Sequence, residues 1–423
     1  MQDYFAMSRE ALQNEREALL DVYGQYKARG LKLDMSRGKP SPAQLDLSMP
    51  MLDIKDYMGE TGIDSRNYGN LEGMPEARRF FAEMLGAQPD EVIVGGNSSL
   101  NMMYSMIELG WRLGYCESEK GWGEEEHPKF LCPAPGYDRH FRVTQYFGFE
   151  LVTVPMLPTG PDMDAVERLV KDKAVKGIWC VPKYSNPDGY SYSDETVRRL
   201  AAMETAEPDF KIFWDNAYIV HHLTDTHDEV LNLLDECRAA GCENRALMFC
   251  SLSKVTFPGA SVAAMAASRQ NVDYILKNMF PTIISYDKLN QLRHIRFLKD
   301  AAGVAAHMEK HRAVIAPKFE LVKSIFTREF AGCDGIARWT DPNGGYFLSL
   351  YTAKGCAKRT VQLCAEAGVK LTEAGAAYPY GVDPDDWNIR IAPTYPPLDE
   401  LETAAELLCV ALKLATVEHL LAQ

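Results

Sequence analysis

The residue in this chain best suited to covalent chemistry is Lys254, set between small hydroxyl residues in the stretch SLSKVTFPGA, residues 251–260. It follows the apolar run Ala246–Cys250. Pro258 and Gly259 break the pattern, and an apolar segment resumes over Ala260–Ala267. The pattern predicts a strand, a tight turn carrying a lysine, and a second strand. A lysine in a solvated turn stays a charged ammonium. One held at the edge of a buried sheet is desolvated, its pKa falls, and its free amine becomes a nucleophile. Other stretches decide between these two readings. Asp215 follows the apolar run Phe210–Trp214, and Asn186 lies in PKYSNPDG after KGIWCV. Tyr137 and His140 follow FLCPAPG. Gly95 and Gly96 follow the short run Glu91–Val94 and lead into Asn97, Ser98 and Ser99, which are good residues for starting a helix. The free amides and dipole of such a helix start favour a phosphate. Lys254, Asp215, Asn186, Tyr137 and the Gly96 turn all stand at predicted strand ends, where open α/β sheets collect their ligands.

The elements that position these groups alternate. A helix is predicted over residues 8–27, closed by Gly30. A loop around Gly38, Pro40 and Pro42 follows, in which Arg37 and Lys39 flank the glycine. That loop is either a solvated charged segment or a wall of an anion pocket. Pro75 and Glu76 open a helix that Gly86 ends. The helix after Ser99 has Leu100, Met103, Tyr104 and Ile107 to bury. The polar stretch CESEKGWGEEEHPKF reads as an exposed excursion. Short, almost wholly apolar strands then alternate with helices up to Ala267, an α/β rhythm expected when helices cover both faces of the sheet. From about residue 272 to 329 the chain turns helical, with Pro281 and Pro317 as interruptions. Two strands around Asp341–Gly345, a helix, short strands including NIRIA, and a closing amphipathic helix make a second, α+β unit. The expected division is residues 1–44 with part of the small domain, 45–300 as the large domain, and 301–423 as linking helix and small domain.

Bulk properties narrow the function. At 423 residues, with 46% hydrophobic and 25% charged residues, the chain is long enough for two ordinary globular domains. A net charge of −14 without a Lys/Arg-rich block argues against nucleic-acid binding. No apolar run approaches the roughly 18 residues of a membrane span, and the N-terminal segment does not read as a signal peptide. Ten scattered cysteines without C-x-x-C spacing suit a reducing, cytoplasmic interior. No metal-ligand spacing occurs among the nine histidines.

The motifs N-P-x-G (from Asn186), D-x-A-Y (Asp215–Tyr218) and S-x-S-K (Ser251–Lys254), in that order, resemble those of fold-type I pyridoxal-phosphate enzymes of the aspartate aminotransferase superfamily. Within it the chain is most similar to the divergent bacterial class Ic group, related to the aminotransferase domain of MocR-type regulators. The resemblance spans nearly the whole chain. It implies a mostly parallel seven-stranded sheet in a large domain beside a smaller α+β domain, pyridoxal 5′-phosphate (PLP) as cofactor, and no metal. Lys254 is implied as the Schiff-base lysine and proton shuttle, Asp215 as the partner of the pyridine nitrogen, and Tyr218 and Asn186 as partners of the phenolic oxygen. Tyr137 is implied to stack on the ring, with His140 supporting Asp215. Gly96, Asn97, Ser98, Ser251 and Ser253 are implied around the phosphate. Tyr68 is implied to reach the site of a neighbouring subunit, which makes the enzyme a homodimer with shared sites. Arg390 is implied to grip the substrate α-carboxylate, and Gly38 to close over substrate. One departure stands out: Val262 occupies the place of a phosphate-binding arginine. From placement alone, Lys39 and Arg37 are the candidates for a distal carboxylate. The implied reaction is transamination between L-aspartate and 2-oxoglutarate. A broader or aromatic specificity and a PLP-dependent lyase reaction are the alternatives. A cofactor-sensing regulator is disfavoured, because residues 1–50 leave no room for a winged-helix domain.

Overall fold

The computed structural model describes residues 3–118, 120–279 and 281–423. Its organising element is a sheet whose main strands are β1 (Val92–Val94), β2 (Lys129–Ala134), β3 (Glu150–Leu157), β4 (Val175–Cys180), β5 (Lys211–Asp215), β6 (Ala246–Ser251) and β7 (Ala263–Ala267). Their spatial order is β1-β7-β6-β5-β4-β2-β3. Strand β7 runs antiparallel to both β1 and β6, and the remaining neighbours are parallel. Beside these seven expected strands, Gly160–Pro161 folds back antiparallel on the end of β3 as a two-residue edge strand.

Strand periodicity explains why these segments read as unbroken apolar runs. In β5, Ile212 and Trp214 enter the core on one face while Phe213 enters the core on the other. In β6, Ala246, Met248 and Cys250 alternate with Leu247 and Phe249 in the same way. Both faces are covered, so neither parity can be polar. Lys176 and Lys211 interrupt the pattern. Both are buried, and each ammonium is paired: Lys176 with Glu207 and Glu125, Lys211 with Glu117 at 3.1 Å.

The smaller unit is built on a three-stranded antiparallel sheet, Ala337–Trp339, Leu348–Thr352 and Asn388–Ile391 in that order. It has its own core, which includes Phe319, Phe326, Leu350, Ile389 and Leu408. The N-terminal segment belongs to it. Helix Arg9–Ala28, capped by the Ser8 side chain, packs on the C-terminal helix Leu398–Ala422, and Leu33–Asp34 pairs in parallel with Val369–Lys370.

Three expectations change. Pro317 does not interrupt its helix, which runs unbroken over Ala301–Glu329. Ile315, Lys318, Phe319 and Val322 are buried on either side of it, and this packing outweighs the hydrogen bond that proline cannot donate. The polar stretch after Gly114 is not simply an exposed excursion. Trp122 within it is 1% exposed and donates its indole N–H to both oxygens of buried Asp209, each at 2.9 Å (Glu119 lies outside the described residues). After Lys254 the chain makes a short helical turn, Pro258–Ala260, so β7 starts at Ala263 rather than at Ala260. The ten cysteines are free thiols, eight of them buried. Among the described residues no helix is long and apolar enough to cross a membrane.

Candidate active site

The C-terminal ends of β4, β5 and β6 open on a cleft of about 640 Å³, which the small unit also lines through Phe347, Lys370 and Arg390. Asp215 is the last residue of β5 and pairs in register with Phe249 of β6. Lys254 sits on the turn just past β6, and both residues line the cleft. The Lys254 ammonium lies 4.9 Å from the centre of the Tyr218 ring. Burial pushes the Lys254 pKa below the usual lysine value, and the Asp215 charge only partly opposes this. The free amine is correspondingly easier to generate. Burial also pushes the Tyr218 hydroxyl well above its ordinary value, with Tyr137 and Asp215 adding to the shift, so it stays protonated as a hydrogen-bond donor.

Asp215 is 3% exposed and uses only one of its oxygens. Oδ2 is 3.0 Å from His140 Nε2, and the His140 ring is stacked on Trp179 with centroids 4.5 Å apart. Oδ1 is buried without a protein partner. A carboxylate oxygen left unpaired inside a protein is costly, so this atom marks a place for a ligand that carries a hydrogen-bond donor or positive charge. Tyr137 lines the cleft beside His140, its ring edge-on to the imidazole at 4.9 Å, and burial raises its pKa to about 12.

The hydroxyls of Ser98, Ser251 and Ser253 line the same cleft. Ser98 is the N-cap of the helix Ser99–Leu113, and the Ser253 hydroxyl reaches the Asn97 carbonyl at 3.3 Å. Gly96 and Asn97 themselves do not line it. They shape the turn: Gly95 N–H donates to the Ala263 carbonyl and Ala263 N–H to the Gly96 carbonyl, both at 2.8 Å. A Cβ at Gly95 would lie 2.6 Å from Met102 Sδ and displace that side chain, whereas at Gly96 it would meet nothing nearer than the Tyr286 ring at 3.7 Å. Val262 is 2% exposed and its carbonyl accepts from Leu252 N–H, so its side chain belongs to the core.

Arg390 projects from the small-unit strand opposite Ser349. Its Nη1 donates to Asp138 Oδ1 at 2.8 Å and reaches Asn186 Oδ1 at 3.4 Å, while its Nε is buried and unpartnered. The guanidinium therefore has capacity left for an anion. Gly38 lines the cleft and lies against Phe347; a Cβ there would be 2.3 Å from the Phe347 ring. Of the two loop cations only Arg37 lines the cleft. Lys39 is turned away, its ammonium 3.8 Å from the centre of the Tyr395 ring. Tyr68 is 78% exposed and does not line the cleft of its own chain. Sequence reasoning missed Asp138, Arg139, Lys370 and Thr372, all of which line the cleft. No local pattern distinguishes them from ordinary surface residues, although Asp138 and Arg139 directly follow the strand-end Tyr137.

The pattern of the aspartate amino-transferase family matches residues 7–423. A protein of Mycolicibacterium smegmatis named as an aminotransferase is 48% identical, over 98% of both chains. The aspartate aminotransferase of Corynebacterium glutamicum is 44% identical, over 99% of both. The crystal structure of an aspartate transaminase from C. glutamicum superposes with a TM-score of 0.95 at 44% identity, covering 98% of each chain.

Proposed function

The chain belongs to the aspartate aminotransferase family of PLP-dependent enzymes, and from that premise we propose that it transfers the amino group of L-aspartate to 2-oxoglutarate with the residues of the strand-end cleft. The observation that carries this assignment of residues is the buried, unpartnered Oδ1 of Asp215, in the same cleft as the depressed-pKa amine of Lys254. The donor set fits the cofactor's chemistry: a carboxylate for a protonated ring nitrogen, an amine for an aldehyde, and a helix N-terminus with three serine hydroxyls for a phosphate. When bound, PLP supplies an aldehyde that condenses with amines and a ring that withdraws electrons from the substrate α-carbon.

The protein's own groups do the rest. Asp215, held by His140, would pair through Oδ1 with the ring nitrogen and favour its protonated form. Lys254 Nζ, whose charged form burial disfavours, would take the proton from the α-carbon of the amino acid and hand it on to the cofactor within the same half of the exchange, and would carry a proton the opposite way to the oxo acid in the other half. Tyr218 and Asn186 would hold the phenolic oxygen, and Tyr137 would pack against the ring. Ser98, Ser251 and Ser253 would hold the phosphate, and Gly96 and Asn97 shape the turn that leads to Ser98. Arg390 grips the α-carboxylate, and its planar fork suits that anion better than a lysine would. Arg37, Arg139 and Lys370 are the cleft cations available to a distal carboxylate, and Gly38 brings the loop against Phe347 to close the cleft. Tyr68, exposed on its own chain, reaches the site of a second copy in a homodimer. The narrower class Ic grouping, the domain limits at residues 44/45 and 300/301 and a cytoplasmic location complete the proposal; the ten unpaired thiols support the last of these.

The test is purified protein reconstituted with PLP. The wild type is expected to show a visible absorbance band that Lys254→Ala loses, to convert aspartate and 2-oxoglutarate to oxaloacetate and glutamate, and to prefer aspartate over phenylalanine and alanine in kcat/KM. Full activity in Lys254→Ala would refute the role of the lysine. Equal kcat/KM across the panel would refute the substrate.

A further inference from the structure

Behind the lysine-bearing turn lies a buried polar network that the proposed chemistry does not use. Its centre is Gln44, which is 0% exposed and bonded at both ends of its amide. The backbone N–H of Ser41, which can only donate, lies 3.0 Å from Gln44 Oε1. That identifies the carbonyl end of the amide, so the NH₂ end faces Tyr346 and His311. Gln44 Nε2 donates to the Tyr346 hydroxyl at 2.9 Å and to His311 Nδ1 at 3.1 Å.

The same logic continues outward. Burial, with His307 adding to it, pushes His311 down to about 4, and burial lowers His307 as well, so both rings are neutral near neutral pH. With Nδ1 accepting from Gln44, His311 carries its proton on Nε2. That nitrogen is 3.2 Å from His307 Nε2, which is 3.0 Å from the carbonyl of Val255, the residue after Lys254. The histidine branch thus ends at His307 Nε2, which stands between His311 Nε2 and the Val255 carbonyl. On the other branch, the Tyr346 hydroxyl accepts from Gln44 and donates to the Lys254 carbonyl at 3.5 Å. Gln44 is therefore linked to the Lys254 carbonyl through Tyr346 and, through the two adjoining imidazoles, comes near the carbonyl of Val255. Its hydrogen bonds join the N-terminal segment, the helix Ala301–Glu329 and the loop before Leu348–Thr352.

Gln44 also stands close to the cleft in sequence. Ser36, Arg37 and Gly38 line the cleft, Gly38 rests on Phe347, and Ser41 is the residue bonded to Gln44. We infer that Gln44 is a positioning residue: through Tyr346 and His311 it couples the cleft loop at residues 36–41 to the backbone of Lys254, so that seating of that loop over substrate sets the reach of the lysine amine. It rests on Lys254 being the reacting amine.

The experiment uses the full-length enzyme with Gln44→Met, which keeps the shape and removes the hydrogen bonds, Tyr346→Phe, which removes one hydroxyl, and the double variant. Each single variant is expected to lower kcat for aspartate about tenfold with KM within about twofold, as misplacement of a reacting group does. Each is also expected to slow the uptake of PLP by the apoprotein by a similar factor. In the double variant the losses should not multiply, because both changes cut one path. Single variants within about twofold of wild type in both rates, losses that multiply, or a loss carried wholly by KM would overturn the coupling. Retained activity in Lys254→Ala would instead remove the assignment on which it rests. Tyr346→Phe keeps the inference testable if Gln44→Met does not fold.

Discussion

The substitution Asp188→Asn puts the energetics of the N-P-x-G loop to a quantitative test. Asp188 is 1% exposed. One of its oxygens accepts from the Tyr351 hydroxyl at 2.8 Å, and the other is buried without a partner. Burial raises its pKa from 3.8 to about 6, against the opposing pull of Ser349, Tyr351 and the Arg338 charge. A rise of about 2 units at 1.36 kcal/mol each corresponds to about 3 kcal/mol. The sign follows from proton binding. Between pH 3.8 and about 6 the folded chain holds a proton that the unfolded chain has released. Stability therefore falls as pH rises through this window, and the full deficit is present above it. Asparagine does not titrate. Its Nδ2 gains no obvious acceptor in place of the orphaned oxygen, which costs about 1–3 kcal/mol at every pH. The diagnostic quantity is accordingly the change with pH and not the offset. Relative to wild type, Asp188→Asn should gain most of the 3 kcal/mol between about pH 4 and pH 7, read as a difference in Tm or denaturant midpoint that widens towards neutral pH. A difference constant across that range would refute the assignment of an uncompensated buried carboxylate.

Two further outcomes follow from the same geometry. Arg390→Lys keeps the charge but loses the fork, and kcat/KM for aspartate is expected to fall on the order of 100-fold, with the folded state unaffected in a thermal melt. Trp122→Phe preserves most of the packing beside Gly110 but removes the indole N–H from Asp209. It should cost about 1–3 kcal/mol of stability in a denaturant titration while leaving kcat intact.

Much of this architecture was legible in the chain because its signals are local. An apolar run that ends in a polar residue is both a buried strand and the address of a group at that strand's end. Asp215, Asn186, Tyr137 and Lys254 could therefore be placed at one sheet edge before any tertiary contact was known. The order of N-P-x-G, D-x-A-Y and S-x-S-K carried the cofactor class for the same reason. What the chain alone did not determine depends on residues far apart in sequence. The Asp138 contact that occupies one arm of Arg390 spans 252 positions, and the Gln44–Tyr346 hydrogen bond spans 302. Periodicity shows which face of an element is buried, but not which partner it meets there. Tertiary structure turned Arg37 into the cleft and Lys39 onto Tyr395, although the two residues flank one glycine. It buried Trp122 within a polar stretch by supplying Asp209, and it carried a helix through Pro317 by packing both sides of the proline. In each case the local preference is worth a few kcal/mol at most, and the contacts that outweigh it exist only once the chain has folded.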